Sequence, residues 1–409
     1  MLNLKQYIVE EKNTHMTHIE ELMFLGGVDG TRQAINFLRD LRDMLKGNAT
    51  SAVDITVKWD GAPAIFAGVD PADGKFFVAK KGLFNKEPKM YKSPADIKAD
   101  LSGELAKKFT IALTEFSKLG IKSGVYQGDM MFTKGDVKIE TIDGQKYYTF
   151  QPNTIVYAVP VSTPLGRQIA KAKIGVVWHT TYTGSTIQNM SAAFGKGIAS
   201  KFKKTATIWM DDATYRDISG KATFSKKELS QFDTMLSGAG KLFQKMNGDA
   251  FRTITQDEEL RQKVMTFVNT YVRGSKAFPD SNKMAIGLVL YLNEWFQKEI
   301  DKKKTEKAKD AWKERRDTLV NKVAMNKSQL VAMFSLMKIL VELKGMVITQ
   351  LDKTQEVDTL LKTAKGFQVT KQEGFVAIDK LKGGAVKLVD RLEFSRANFS
   401  PEIIKGWQK

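Results

Sequence analysis

Asp54-Ile55-Thr56-Val57-Lys58-Trp59-Asp60-Gly61 is a short alternating run that ends on a lysine and enters an Asp-Gly turn. The alternation predicts a strand, and Asp-Gly favours a tight turn. A lysine at such a strand end, beside a glycine that lets a ligand approach the backbone, is a candidate nucleophile. Its amine attacks phosphorus only when unprotonated, which calls for a pKa lowered by burial or by nearby cations. Lys75, Lys80 and Lys81 are the cations closest downstream. The same four residues 58–61 also describe an ordinary exposed strand end, so the companions decide between the two.

Four companions follow in order. Phe76-Phe77-Val78-Ala79-Lys80-Lys81-Gly82 is a strand that delivers two lysines into a turn, or a plain basic hairpin tip. Val125-Tyr126-Gln127-Gly128-Asp129 places an acid after a glycine on a strand. Asp129 suits a ribose hydroxyl or a divalent metal, and equally a solvated turn. Glu373-Gly374-Phe375-Val376 offers a second acid, and Gly384-Ala385-Val386-Lys387-Leu388-Val389 a strand lysine. A glutamate can place magnesium, and a lysine can grip a phosphate being transferred.

Working outward, residues 53–182 are rich in short β runs at 55–58, 64–67, 76–79, 125–127, 147–150, 155–159 and 174–178. One helical stretch, 94–119, interrupts them. This texture predicts an α+β region built on a largely antiparallel sheet. Before it, residues 15–46 read as two helices broken around Gly26-Gly27 and Asp29-Gly30. After it, helices are expected at 226–246, 257–272, 283–322 and 327–348. The stretch 301–322 is almost wholly charged, with Trp312 its only aromatic, and reads as a solvated helix or as one facing nucleic acid. Strands return at 375–378 and 385–389, with Gly383-Gly384 as the turn between them. The expected organisation is an N-terminal helical segment packed on the core (1–50), a first part of the core (51–224), a helical accessory domain (225–365) and closing strands of the core (366–409).

Composition narrows the function classes. The chain of 409 residues carries a net charge of +18, and a protein this basic tends to meet polyanions. Cysteine is absent, which removes disulfides, thiolate metal sites and cysteine nucleophiles. His15, His18 and His179 are the only histidines, too few for a multi-histidine metal centre. The most apolar helical stretch, 330–343, is interrupted by Lys338 and Glu342 and is not expected to span a bilayer. With no apolar signal region at the N-terminus, a cytoplasmic protein without membrane association is expected.

Taken in order, the five motifs resemble the covalent nucleotidyltransferase superfamily of RNA ligases, DNA ligases and messenger RNA capping enzymes. Lys58-Trp59-Asp60-Gly61 is similar to its nucleophile motif. Lys80-Lys81-Gly82 resembles the basic turn of phage RNA ligases, with Lys81 where arginine is usual. Gly128-Asp129 resembles the third motif with Asp for Glu, Glu373-Gly374-Phe375-Val376 the fourth, and Lys387 the fifth. The fifth motif normally carries two lysines; here it reads Lys387-Leu388-Val389, and Lys380, Lys382 or Arg391 are candidates for the missing cation. The overall texture resembles ligase-like proteins of large tailed phages, which places the expected cytoplasm in a bacterial host.

The resemblance implies an antiparallel nucleotidyltransferase core with a large helical accessory domain. Lys58 is the implied nucleophile toward ATP, forming lysyl–AMP, with Lys387 assisting. Asp60, Gly61, Lys80, Lys81, Asp129 and Glu373 are the implied nucleotide contacts, and Asp129 and Glu373 the implied magnesium ligands. An aromatic residue normally stacks on the base, and Trp178 is the candidate, although a core tryptophan fits the same position. About twenty residues follow Lys387, too few for the OB-fold that DNA ligases and capping enzymes carry. The expected activity is therefore joining of 5′-phosphate and 3′-hydroxyl ends, of RNA rather than DNA. A DNA ligase without its OB-fold, or a nucleic-acid-binding phage protein with a degenerate, non-catalytic ligase fold, stands as the alternative.

Overall fold

A computed structural model describes residues 17–46, 53–194, 197–213, 223–246, 248–354, 358–364, 366–370, 373–379 and 385–406. His15, Lys380, Lys382 and the Gly383-Gly384 turn lie outside the described residues.

Helix α1 (Leu22–Leu45) leads into strands β1 (Val53–Lys58), β2 (Ala64–Val69) and β3 (Phe76–Ala79). Helices α2 (Pro94–Asp100) and α3 (Gly103–Phe116) precede β4 (Val125–Thr133), β5 (Lys138–Ile142), β6 (Gln145–Phe150) and β7 (Ile155–Pro160). Helix α4 (Pro164–Lys171) is followed by β8 (Ile174–Thr183), β9 (Ser191–Phe194) and β10 (Ile208–Asp212). The helical stretch holds α5 (Lys226–Lys245), α6 (Gly248–Thr255), α7 (Glu258–Arg273), α8 (Ser281–Asp301), α9 (Glu306–Met325) and α10 (Lys327–Leu351). Strands β11 (Asp358–Thr363), β12 (Gly366–Val369), β13 (Gly374–Asp379) and β14 (Ala385–Leu388) and helix α11 (Arg391–Phe399) close the chain.

Three sheets form among the described residues, in a mixed α+β arrangement. Their orders are β1-β13-β14, then β10-β8-β4-β2-β3 with β9 on β8, and β12-β11-β7-β6-β5. Pairing is antiparallel except between β10 and β8, which run parallel. Alternation decides the faces of the large sheet. Ile65, Ala67, Met130, Ile174, Val176 and Trp178 point to one side, where Ile97 of α2 and Phe109, Ala112 and Phe116 of α3 cover them. Phe66, Phe77 and Val125 point to the other.

The small sheet β1-β13-β14 is the hinge of the architecture. Phe375, Ala377, Val386 and Leu388 join one hydrophobic core with helix α1 and the helices between 226 and 351. Val376 and Lys387, between them in sequence, face the opposite way. The helical block is thus fastened to the back of the strands that carry Glu373 and Lys387.

Several expected boundaries shift for local reasons. The break in the N-terminal helical stretch falls at Gly27, whose φ of 55° interrupts α1, and where a Cβ would fall 3.0 Å from Thr255 Oγ1. The stretch 283–322 is two helices, separated at 302–305, where Thr305 caps α9 by accepting from Ala308 N. Likewise 94–119 divides after α2, which opens on a Ser93–Asp96 capping box. The helical block ends earlier than 365, because β11 already pairs with β7 from Asp358 onward. Helix α1 packs mainly on α5, α6 and α10 rather than on the sheets, although it also touches β1. No helix among the described residues is long and apolar enough to cross a membrane.

Candidate active site

Strand β1 ends on Lys58, directly opposite Gly374 of β13. This register sets Glu373 beside the lysine, and the Glu373 carboxylate forms an ion pair with the Lys58 ammonium. Only 8% of the Glu373 side chain is exposed, against 26% for Lys58. Burial pushes Glu373 up to about 7, despite the charge of Lys58. For Lys58, burial acts downward, but the carboxylates of Glu373, Asp129 and Asp60 outweigh it and hold the amine above its ordinary value. This corrects the expectation that Lys75, Lys80 and Lys81 would lower it: the groups acting on Lys58 are acids.

Lys387 stands next in the same sheet, with Val376 of β13 as its partner across the strands. Burial, then the charge of Lys58, pushes its amine below the ordinary lysine value. Its backbone N–H donates to Thr17 O at 2.8 Å, and His18 bridges the same position. Residues 17–18 thus close the edge of β14 at Lys387 by an isolated bridge.

The Trp59-Asp60-Gly61 turn is locked from below. Trp59 is buried between Tyr157, with ring centroids 5.0 Å apart, and Trp209 at 6.1 Å. The Asp60 backbone N–H donates to the Tyr157 hydroxyl at 2.7 Å. The Asp60 carboxylate accepts from Asn153 Nδ2 at 2.8 Å, Thr154 N at 2.8 Å and Ile155 N at 2.9 Å. Asp60 is 5% exposed. Expected as a nucleotide contact, it instead anchors the turn, because its oxygens are taken by the 153–155 loop. Gly61 lies against Asp129: a Cβ at position 61 would fall 2.5 Å from Asp129 Cβ and 3.0 Å from Met131 Sδ.

Asp129 is the large sheet's contribution. Two register slips in the β4–β8 pairing flank it, one between Gln127 and Gly128, the other between Met130 and Phe132. Such bulges re-aim side chains next to sites. Across the first, Gln127 pairs with Thr180 and Gly128 with Trp178, which leaves His179 as the extra residue. His179 Nε2 then sits 3.6 Å from Asp129 Oδ2, and its Nδ1 lies 2.7 Å from Thr180 Oγ1. Beyond the bulge, Tyr182 changes sides and joins Phe66 and Phe84.

Trp178 is a core residue and not a base-stacking one. It is fully buried, with Phe116 at 5.3 Å and Phe202 at 5.4 Å between ring centroids, on the side covered by α3. The aromatic ring set directly beside the Asp129 carboxylate is His179, which sequence reading passed over. The signal was present, since Ile174, Val176 and Trp178 share one parity and position 179 has the other.

Structure also reassigns the two lysines of the basic turn. Lys80 Nζ lies 3.1 Å from Asp100 Oδ2. The same carboxylate holds Lys89 and accepts from the Tyr91 hydroxyl at 2.6 Å. Lys81 is exposed. Arg391 does not fill the gap in the fifth motif. It is only 13% exposed, pairs with Glu21 at 2.9 Å, lies 3.6 Å from Glu20, and donates to Asn269. Val389, at the second-lysine position, is buried.

The convergent set is therefore Lys58, Glu373, Lys387 and Asp129, with His179 beside Asp129 and Gly61 beneath them. Chemically it is a lysine amine, a second lysine of lowered pKa and two carboxylates, where the β1-β13-β14 sheet meets the large sheet. Among the described residues no group of three or more His, Cys, Asp or Glu is placed to hold a metal ion by itself.

Fold and site together define a mixed α+β protein in which two of the three sheets share a lysine–carboxylate centre. The chain belongs to DUF6267, a family of unknown function whose model matches residues 13–403. Neither the curated proteins nor the solved structures contain a match to it.

Proposed function

We propose that this chain is an ATP-dependent polynucleotide ligase of the RNA-ligase type, with Lys58 as the covalent nucleotide acceptor. The observation that carries the reading is the meeting of Lys58 with Glu373, Lys387 and Asp129. These residues come from separate motifs scattered along the chain, and a chance set of short patterns has no reason to converge.

In the first step Lys58, once its ammonium has lost a proton to solvent and separated from Glu373, attacks the α-phosphorus of ATP as the neutral amine. The Nζ–P bond forms, the bond to the bridging oxygen breaks, and pyrophosphate leaves with the electron pair. The amine proton passes to solvent or to Glu373, whose raised pKa suits it to accept one near neutrality. Lys387 neutralises charge on the phosphate under attack. A 5′-phosphate oxygen then attacks the same phosphorus and breaks the Nζ–P bond. Finally a 3′-hydroxyl attacks the 5′-phosphorus, with AMP as leaving group.

Asp129 and Glu373, whose carboxylates both act on Lys58, would hold a magnesium ion together with substrate phosphates, as this hard cation is commonly held by one or two carboxylates plus phosphates. When bound, magnesium supplies positive charge to phosphate oxygens. His179, beside Asp129, is the aromatic group available to the nucleoside. The Lys58-Trp59-Asp60-Gly61 motif does not separate RNA from DNA ligases; RNA is preferred as the class of substrate on the likeness to phage RNA ligases, and a cytoplasmic setting accompanies that choice.

The test is self-labelling with α-labelled ATP and magnesium, followed by a panel of RNA and DNA ends. A second reading, a nucleic-acid-binding protein with a degenerate ligase fold, is favoured by buried Val389 at the second-lysine position. It predicts polynucleotide binding with no labelling.

A further inference from the structure

Three connecting segments that meet beside the C-terminal end of α3 carry seven lysines. The turn after α3 carries Lys118 and Lys122, the turn before β8 carries Lys171 and Lys173, and the segment before β10 carries Lys201, Lys203 and Lys204. Backbone hydrogen bonds tie them together: Lys203 N donates to Leu119 O at 2.9 Å, and Lys173 N to Thr207 O at 2.7 Å. All seven lysines are exposed. The acid beneath them is Glu115, 2% exposed, which takes Lys118 at 2.6 Å and Lys173 at 3.7 Å. The three connecting segments 117–124, 171–173 and 197–207 contain no Asp or Glu.

Helix α9 is the instructive contrast. It is as rich in lysine and arginine, but its cations alternate with acids. Lys309 pairs with Glu306, Lys313 with Asp310, Arg316 with Asp317, and Arg315 with Glu259. Its positive charge is largely compensated at short range, as in a solvated helix. Among the described residues no acid pairs with Lys122, Lys171, Lys201, Lys203 or Lys204, and like charges gathered on neighbouring segments repel one another unless an anion covers them.

We propose that this turn cluster is a docking surface for the sugar–phosphate backbone of a polynucleotide, distinct from the cleft at Lys58. Choosing a polynucleotide among polyanions rests on the ligase reading; the surface itself rests on charge and placement alone. Contacts of this kind are insensitive to base sequence and strongly dependent on salt.

The experiment measures binding of the full chain to a fluorescent 20-base-pair duplex across a salt series, in RNA and DNA forms. One variant carries Gln at Lys122, Lys171, Lys201, Lys203 and Lys204; a control carries Gln at Lys307, Lys309, Lys313, Arg315 and Arg316, all on helix α9. The turn variant should bind at least about tenfold more weakly at 0.1 M salt, with a log–log salt slope shallower by about 3 to 4. The control should change affinity by no more than about threefold, because its cations lie on helix α9, where acids pair with Lys309, Lys313, Arg315 and Arg316. Both variants should keep the wild-type unfolding midpoint.

Equal losses in the two variants would overturn the proposal, because net charge alone would explain them. So would an unchanged slope in the turn variant, or a wild-type chain that binds anionic vesicles and no duplex. The ligase reading fails separately, by absence of ATP labelling, and binding does not depend on that result.

Discussion

The Lys58 ammonium and the Glu373 carboxylate, from opposite ends of the chain, are ion-paired across adjacent antiparallel strands. The pair keeps the proposed nucleophile protonated in the resting protein. Burial alone would lower Lys58, but three carboxylates reverse the direction. The unprotonated fraction at neutral pH is therefore small and grows with pH. The initial rate of ATP labelling should rise about tenfold per unit between about pH 7.5 and 9, without a plateau. A rate that levels off below pH 8 would show that Lys58 titrates far lower than its ion pair implies.

Gly61 is pressed against Asp129. Gly61→Ala would put a methyl group 2.5 Å from Asp129 Cβ. The backbone has to give way, at a stability cost of about 1–3 kcal/mol. Because Asp129 moves with it, labelling should fall by more than the loss of folded protein explains. Chemical denaturation and labelling rate, measured on one preparation, separate the two effects.

Glu20 and Lys344 form a nearly inaccessible pair, 2.7 and 2.8 Å between Lys344 Nζ and the two carboxylate oxygens. Although burial alone raises it, Lys344, His18 and Arg391 hold Glu20 down to about 2. Lys344→Met strands a buried carboxylate and should cost about 3–5 kcal/mol. The double variant Glu20→Gln/Lys344→Met should recover much of that loss. Urea titrations of the two singles and the double give the coupling directly.

His18 carries a pH prediction of definite sign. Burial first, then the charges of Lys344, Arg391 and Lys387, push it down to about 3 from an ordinary 6.5. The unfolded chain thus binds the extra proton between these values, so stability is present above about pH 6.5 and lost as pH falls. At pH 5 the His18 contribution to that loss is about 2 kcal/mol. Replacing it by His18→Gln should flatten the pH dependence by this amount. Equal slopes for wild type and variant between pH 7.5 and 5 would show that His18 does not titrate as described.

The parts of the site legible in the sequence were those carried by local pattern. Lys58 at a strand end, Asp129 after a glycine, and Lys387 on a strand all follow from short alternation and turn chemistry. What escaped depended on tertiary geometry. Asp60 has the residue type of a ligand contact, but nothing local shows that the 153–155 loop claims its oxygens. Lys80 reads as a phosphate contact until Asp100 is brought beside it. The β4–β8 bulges have no clear sequence mark, so Tyr182 changes face unannounced. Trp178 was ambiguous because an apolar β run places aromatics on both faces, and only the packing of α3 decides which face is core. For the fold, the α+β texture and the helical block were readable. The pairing of β11 with β7 was not, because a short strand following a long helix carries no label of its distant partner.

The most direct measurement is a denaturing gel of the wild-type chain and Lys58→Ala after incubation with α-labelled ATP and magnesium, with the labelled peptide identified by mass spectrometry. The account predicts one acid-labile adenylyl group on Lys58 of the wild type, and none on the variant. A wild-type chain that remains unlabelled, or a label that persists in Lys58→Ala, would contradict it.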